Sequence, residues 1–153
     1  MDVTELSKAH EEFLAVAEAG GFGPPPAGEW DAGRLLAHVA VADAAIASTA
    51  LAVIGGERAV YDNRASLDEW NLSRVVGECG GMAPLIEFVR AQGRLLGAVA
   101  AELSESAGSV LIPVLIVSGD QLVVDEPWSL ADLIAGIARF HLPQHAEQLA
   151  RLR

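Results

Sequence analysis

The stretch from Trp30 to Ile54 sets the terms for the rest of the chain. Leu35, Leu36, Val39, Val41, Ile46 and Leu51, spaced by alanines, leave almost no polar face. A helix that is apolar nearly all round must be enclosed by other elements, in the middle of a bundle or at a subunit interface. Asp31 stands where an N-cap or first-turn acid belongs, and Gly55-Gly56 ends the run. One residue within it is out of character: His38, flanked by Ala37, Val39, Ala40 and Val41. A buried imidazole with an unmet hydrogen bond costs about 1 kcal/mol or more. His38 therefore needs a hydrogen-bonding group or an ion.

The remaining segments can surround such a helix. Val3 to Ala19 reads as amphipathic, with Leu6, Phe13, Leu14 and Ala17 inward and Glu11, Glu12 and Glu18 outward. Glycines and Pro24 to Pro26 close it. Tyr61 to Arg64 reads as a loop, Ser66 to Val76 as a short helix, and Met82 to about Glu105 as a third long helix, with Pro84 tolerated in its first turn. Val110 to Val117 is rich in β-branched residues; Ser118-Gly119-Asp120-Gln121 is turn material, and Leu122 to Val124 follows, which makes a β-hairpin. Pro113 argues for an edge or irregular strand there. Ser129 and Asp132 have the spacing of a capping box, and Leu130, Leu133, Ile134, Ile137, Phe140, Leu149 and Leu152 carry the last helix. The expectation is an all-α fold: a four-helix bundle with a small β-hairpin before the last helix, forming one domain over residues 1–153.

Charge narrows the partners. The formal net charge of −11 repels phosphate backbones, so no nucleic-acid partner is expected, and no run of Lys or Arg suggests an anionic membrane. The longest apolar stretches are interrupted by His38, Asp43 or Pro113, so no membrane span is expected either. Cys79 is the one cysteine, which rules out an intrachain disulfide and fits a reducing cytoplasm. The N-terminal residues have no basic region or apolar core of a signal peptide, so a cytoplasmic location is expected.

His141 and His145 are four residues apart and share a helical face. With His38 arriving from another helix, they form a tri-histidine set with at least one coordination position open, the arrangement of a working metal. The His-x-x-x-His spacing alone is a weak signal, and no Glu follows His141 as in the zinc-protease helix. Pro143 either kinks the last helix or breaks it; the apolar spacing through Leu149 and Leu152 favours the kink. Gln148 shares the His141 face and is a candidate for the pocket lining. Arg34, one turn before His38, is a candidate to hold an anionic substrate, the alternative being a surface ion pair with Asp31 or Asp43. Asp43 lies about 140° round the helix from His38, which argues against a ligand role. His10 reads as structural or solvated, Cys79 as structural, and Trp30, Trp70 and Trp128 as core or rim residues.

These pieces together resemble a known family. The stretch Trp30-Asp31-Ala32-Gly33-Arg34-Leu35-Leu36-Ala37-His38-Val39 with Asp43, then Leu67-Asp68-Glu69-Trp70-Asn71, then Trp128-Ser129-Leu130 leading into Phe140-His141-Leu142-Pro143-Gln144-His145, occur in order over nearly the whole chain. They resemble the DinB-like superfamily, in particular the branch similar to mycothiol-dependent maleylpyruvate isomerase. The resemblance implies an up-down-down-up four-helix bundle that forms a homodimer. It also implies a divalent metal, zinc or nickel, at His38, His141 and His145, and a small-molecule electrophile as substrate with mycothiol or another low-molecular-weight thiol as cofactor. The isomerase of that branch has a Glu at the position of His141, so this chain follows the tri-histidine pattern of the wider superfamily. Against a thiol transferase or isomerase stand a non-catalytic dimeric binding module and, lower, a metal-dependent hydrolase, for which no adjacent general base is evident.

Overall fold

A computed structural model describes all residues 1–153. The long apolar helix forms as its sequence requires: α2 (Ala32–Ile54) starts at Asp31, whose carboxylate accepts the Arg34 amide N–H at 2.8 Å. Leu36, Val39, Ala40, Ile46 and Ala50 have no exposed surface. By length and composition α2 could cross a membrane, but 61% of its most apolar window is buried inside the protein. Its cover comes chiefly from α4 (Met82–Ala101), with α3 (Glu69–Cys79) and the C-terminal helical run alongside. α1 (Thr4–Ala19) buries Leu6, Phe13, Leu14 and Ala17 against α4 and that same run. The third long helix stops at Ala101, short of the expected Glu105, which instead opens the single turn α5 (Glu105–Gly108) capped by Ser104.

The molecule is thus mainly helical, and its β structure exceeds the hairpin. Strands β2 (Leu111–Ser118) and β3 (Gln121–Ser129) pair antiparallel, as expected, around a two-residue turn in which Gly119 takes φ +58°. A third strand, β1 (Tyr61–Asp62), lies parallel to β2 where the sequence reads as loop, with Tyr61 opposite Val114 and Asp62 opposite Leu115. Asn63 then prolongs this pairing with its side chain. Its amide donates to the Val117 carbonyl at 2.9 Å and accepts the Val117 N–H at 2.8 Å. Two residues paired to a longer strand leave no periodicity to read. Pro113 sits on the central strand of the order β1-β2-β3 rather than an edge. The sheet tolerates it because β1 begins one residue later, at Val114, and because its opposite number on β3 is Pro127, so neither residue is asked to donate.

Asn63–Ser66 form a 3-10 turn, so α3 begins at Glu69, capped by Asp68, rather than at Ser66. Trp70, expected in the core or at a rim, is 69% exposed and lies under the Arg74 guanidinium.

The last helix neither breaks at Pro143 nor merely kinks. α6 (Leu130–Gly136) passes through a wide π turn (Ile137–His141) into α7 (Leu142–Arg151). The Leu142 N–H bonds the Ile137 carbonyl five residues back. The widened ladder accommodates Pro143, which lacks an N–H and would clash with the carbonyl four residues earlier in a plain helix. Core spacing supplies a second cause. The buried stripe Leu130, Leu133, Ile134, Ile137 and the stripe Leu142, Leu149, Leu152 are roughly 100° out of phase in a plain helix, one residue's rotation. The wide turn absorbs that residue. It also explains Phe140, expected in the core but 72% exposed.

Candidate metal centre

A plain helix continued from Ile137 would place position 141 on the core stripe. The wide turn gives that place to Leu142, which is fully buried, and leaves His141 facing His145 and the α2 residue His38. The ring centroids lie 5.0 Å apart for His38–His141, 4.7 Å for His38–His145 and 4.5 Å for His141–His145. One ligating nitrogen from each falls within 4.8 Å of the others. The three expected ligands are therefore brought together, from α2, from the last residue of the turn and from α7.

Hydrogen bonds orient two of the rings. His38 Nδ1 donates to the Ser66 carbonyl at 2.7 Å, and a carbonyl can only accept, so the ring proton sits on Nδ1 and Nε2 keeps its lone pair. The sheet holds this partner in place: Asn63 is clamped to β2, and the Ser66 hydroxyl bonds the Asn63 carbonyl at 2.7 Å. Gln148, the candidate pocket residue, does the same for His145, whose Nδ1 lies 2.6 Å from its Oε1. The remaining nitrogens converge, with His38 Nε2 and His141 Nε2 2.9 Å apart. His141 Nδ1 is buried without a partner.

The electrostatics favour neutral rings. Burial, then the charge of His145, hold His38 down to about 4. Burial first, then His145, His38 and His10, push His141 well below the usual histidine range. Burial also lowers His145, against the opposing bond to Gln148. Neutral imidazole is the ligating form, so the set is ready for a cation at neutral pH without losing protons. The His38 Nε2 lone pair, 2.9 Å from His141 Nε2, can accept the His141 ring proton or, with that proton on Nδ1, share a cation with it, and an all-imidazole donor set suits zinc, nickel, copper or iron. The residues fit a divalent metal.

The three rings line a cavity of about 830 Å³, walled by Trp30, Trp128 and Phe140, with Tyr61, Gln144, Gln148 and Arg151 at its polar positions. Trp30 lies 5.1 Å from the His38 ring. Val123 also reaches the cavity; the shift in pairing between Ile116 and Val117 leaves it without a partner on β2 and turns it there.

Other candidates fall elsewhere. Arg34 does not line the cavity: its guanidinium bonds Asp31 at 3.1 Å and Glu69 at 2.9 Å, on the surface. The cation at the cavity is Arg151, which the sequence pattern did not single out. Cys79 is half-buried and away from the cavity, and burial raises its thiol pKa. His10, read as isolated, is buried, and its Nε2 lies 2.8 Å from Asp43 Oδ2. One signal in the sequence pointed to that pair, since a carboxylate in a nearly all-apolar helix needs a partner; the structure adds that α4 carries Gly93, where a Cβ would lie 2.6 Å from the His10 ring.

No protein-family model matches the chain, and no curated protein matches its sequence. Among solved structures it is similar to one described as the crystal structure of the mycothiol-dependent maleylpyruvate isomerase, with a TM-score of 0.75 and 17% identity. The match covers 96% of this chain and 58% of that one, so the chain spans somewhat more than half the length of the protein it resembles. At that identity the likeness speaks for the fold alone: the chain has the helical fold of the matched part of that structure.

Proposed function

We propose that the protein is a metal-dependent thiol S-transferase or isomerase acting on small electrophiles, with mycothiol or another low-molecular-weight thiol as cofactor. The observation that carries this reading is the convergence of His38, His141 and His145 on the wall of a cavity of about 830 Å³ large enough for an organic ligand. The mycothiol dependence printed for its structural neighbour supports the thiol. We assign a zinc or nickel ion to Nε2 of the three histidines. Held there, a divalent ion supplies a Lewis acid that favours the thiolate of a bound thiol, the reactive form.

The chain's own residues do the rest. The Ser66 carbonyl and Gln148 Oε1 keep the Nδ1 protons in place, so Nε2 of His38 and His145 stays available. Trp30, Trp128 and Phe140 present apolar surface to the organic part of the ligands and exclude water from it. Gln148 retains its amide N–H groups for a ligand. Arg151, tied only by a 3.6 Å contact to Glu147, takes the anion-binding part first expected of Arg34. In the same reading, α1, α2, α4 and the run α6–α7 make an up-down-down-up bundle, and the protein is a cytoplasmic homodimer.

Elemental analysis of freshly purified protein, followed by a screen of small electrophiles with mycothiol, bacillithiol and glutathione, tests the proposal. One divalent metal per chain and metal-dependent conjugation or isomerisation are expected. A folded chain that neither contains nor takes up metal would overturn it.

A further inference from the structure

Two buried side-chain polar atoms lack a hydrogen-bond partner: Nδ1 of His141 and Oδ1 of Asp43. They are complementary. With Nε2 of His141 turned toward His38, ligation through Nε2 leaves the ring proton on Nδ1, a donor without an acceptor. Asp43 Oδ1 is an acceptor without a donor.

The surroundings of Asp43 bring it toward the metal centre. Asp43 has no exposed surface, and its other oxygen is held by His10 Nε2 at 2.8 Å. His10 is itself fixed, because its Nδ1 donates to the Leu6 carbonyl at 3.0 Å. α1, which carries His10, packs directly on the wide turn that carries His141. The charge of His10 is among those that depress His141, and the charge of Asp43 reaches Tyr61 on the cavity wall. His10 thus stands within electrostatic reach of His141, and Asp43 within reach of the cavity wall. A buried pair of this kind stabilises a fold no more than an apolar pair of equal volume. Yet α4 keeps Gly93 bare to admit it, since a Cβ there would lie 2.6 Å from His10 Cδ2.

We propose that Asp43 is a positioning residue of the metal centre: its free Oδ1 takes the Nδ1–H of His141, after a small side-chain rotation or through one water. It would then do for His141 what the Ser66 carbonyl does for His38 and Gln148 does for His145. The inference rests on the metal-centre reading and extends it to the one ring left without an orienting partner.

The test is a double-mutant cycle on zinc affinity, measured by competition with a chromophoric chelator. Asp43→Leu is made in the parent chain and in His141→Ala. In the parent, zinc binding weakens about tenfold or more, the usual loss for such a partner. Where His141 is already Ala, the same change costs less than about threefold, because the effect runs through that ring. Asp43→Asn, which keeps an acceptor oxygen, recovers part of the loss. Equal losses in both backgrounds, or none in either, overturn the proposal. Should Asp43→Leu fail to fold, the unaltered zinc-loaded protein answers by NMR with labelled histidine. A slowly exchanging, downfield Nδ1–H on His141 supports the proposal; a freely exchanging one at an ordinary shift overturns it. A parent chain that takes up no zinc defeats the metal reading and this inference together, whereas zinc held equally by parent and variant defeats this inference alone.

Discussion

All four histidines of the chain are engaged in the fold, yet they form two regions of opposite character. His38, His141 and His145 are packed together and held neutral, with pKa values pushed down by burial first. His10 feels burial in the same direction, but its bond to Asp43, the charge of Asp43 and the Leu6 carbonyl outweigh it and raise its pKa. Burial pushes Asp43 up as well, against the pull of His10. One region is left with lone pairs and no proton to fill them; the other shares a proton between two groups that have both accepted burial. The same residue type in the same core becomes a neutral cluster or half of a proton-sharing pair according to whether a carboxylate stands beside it.

The sharpest way to break this comparison is to remove a ring from the first region. His38→Ala should weaken metal binding by a factor on the order of 100 or more, since even a supporting residue behind a ligand is worth 10 to 100. Elemental analysis and chelator competition check it, and undiminished binding would reduce the trio to ordinary core histidines.

Acid separates the regions next. In the metal-free protein, between the ordinary value of 6.5 and about 4, unfolded His38 binds a proton that the native ring refuses, so stability falls as pH falls. His38 alone accounts for about 3 kcal/mol across that window, and His141 and His145 act in the same direction. Both members of the His10–Asp43 pair are raised, so between 6.5 and 3.8 the native pair holds at least the one proton of the unfolded pair, and any slope it adds there opposes that of the three histidines. The stability contributed by the raised His10 is complete below 6.5 and is lost as pH rises through its raised native value. Urea unfolding of metal-free protein at a series of pH values reads this directly, and a stability that is flat between pH 6.5 and 4 would contradict it.

Gly93→Ala attacks the second region. The new Cβ would meet His10 Cδ2 at 2.6 Å and Nε2 at 2.9 Å, so the ring or α4 must move. Overpacking of this kind costs about 2 kcal/mol, seen as a lower urea midpoint; an unchanged midpoint would mean that the pair is loosely seated. The smallest effect belongs to Arg34→Ala. Its ion pairs with Asp31 and Glu69 lie on the surface, where such pairs contribute about 0–1 kcal/mol. Metal binding and any thiol-dependent activity should be unchanged, and a large loss of activity would restore Arg34 to the site.

The clustering of His38, His141 and His145 was legible because it needed only a helical period and a histidine misplaced in an apolar helix. Gln148 followed from the same period. Arg34 did not, because the destination of a long, flexible guanidinium depends on where Glu69 of α3 comes to rest, a tertiary fact. The wide turn left its mark as a step of five from Ile137 to Leu142, where core spacing calls for a step of four, but Phe140 is apolar and hid the offset. β1 exists only through its pairing with β2, and so has no signature of its own.

The extra residue held between Ile137 and Leu142 makes the C-terminal helical run unequal in its tolerance of length changes. Shortening the chain by one residue there, with Pro143 replaced so that its ring does not meet the carbonyl four residues back, would let the backbone settle into ordinary α geometry while Leu133 and Leu149 both stay inward. The same deletion in mid-α7 would roll Leu149 and Leu152 toward solvent. An engineer wishing to trim or graft this segment has one forgiving spot, and it adjoins the histidines.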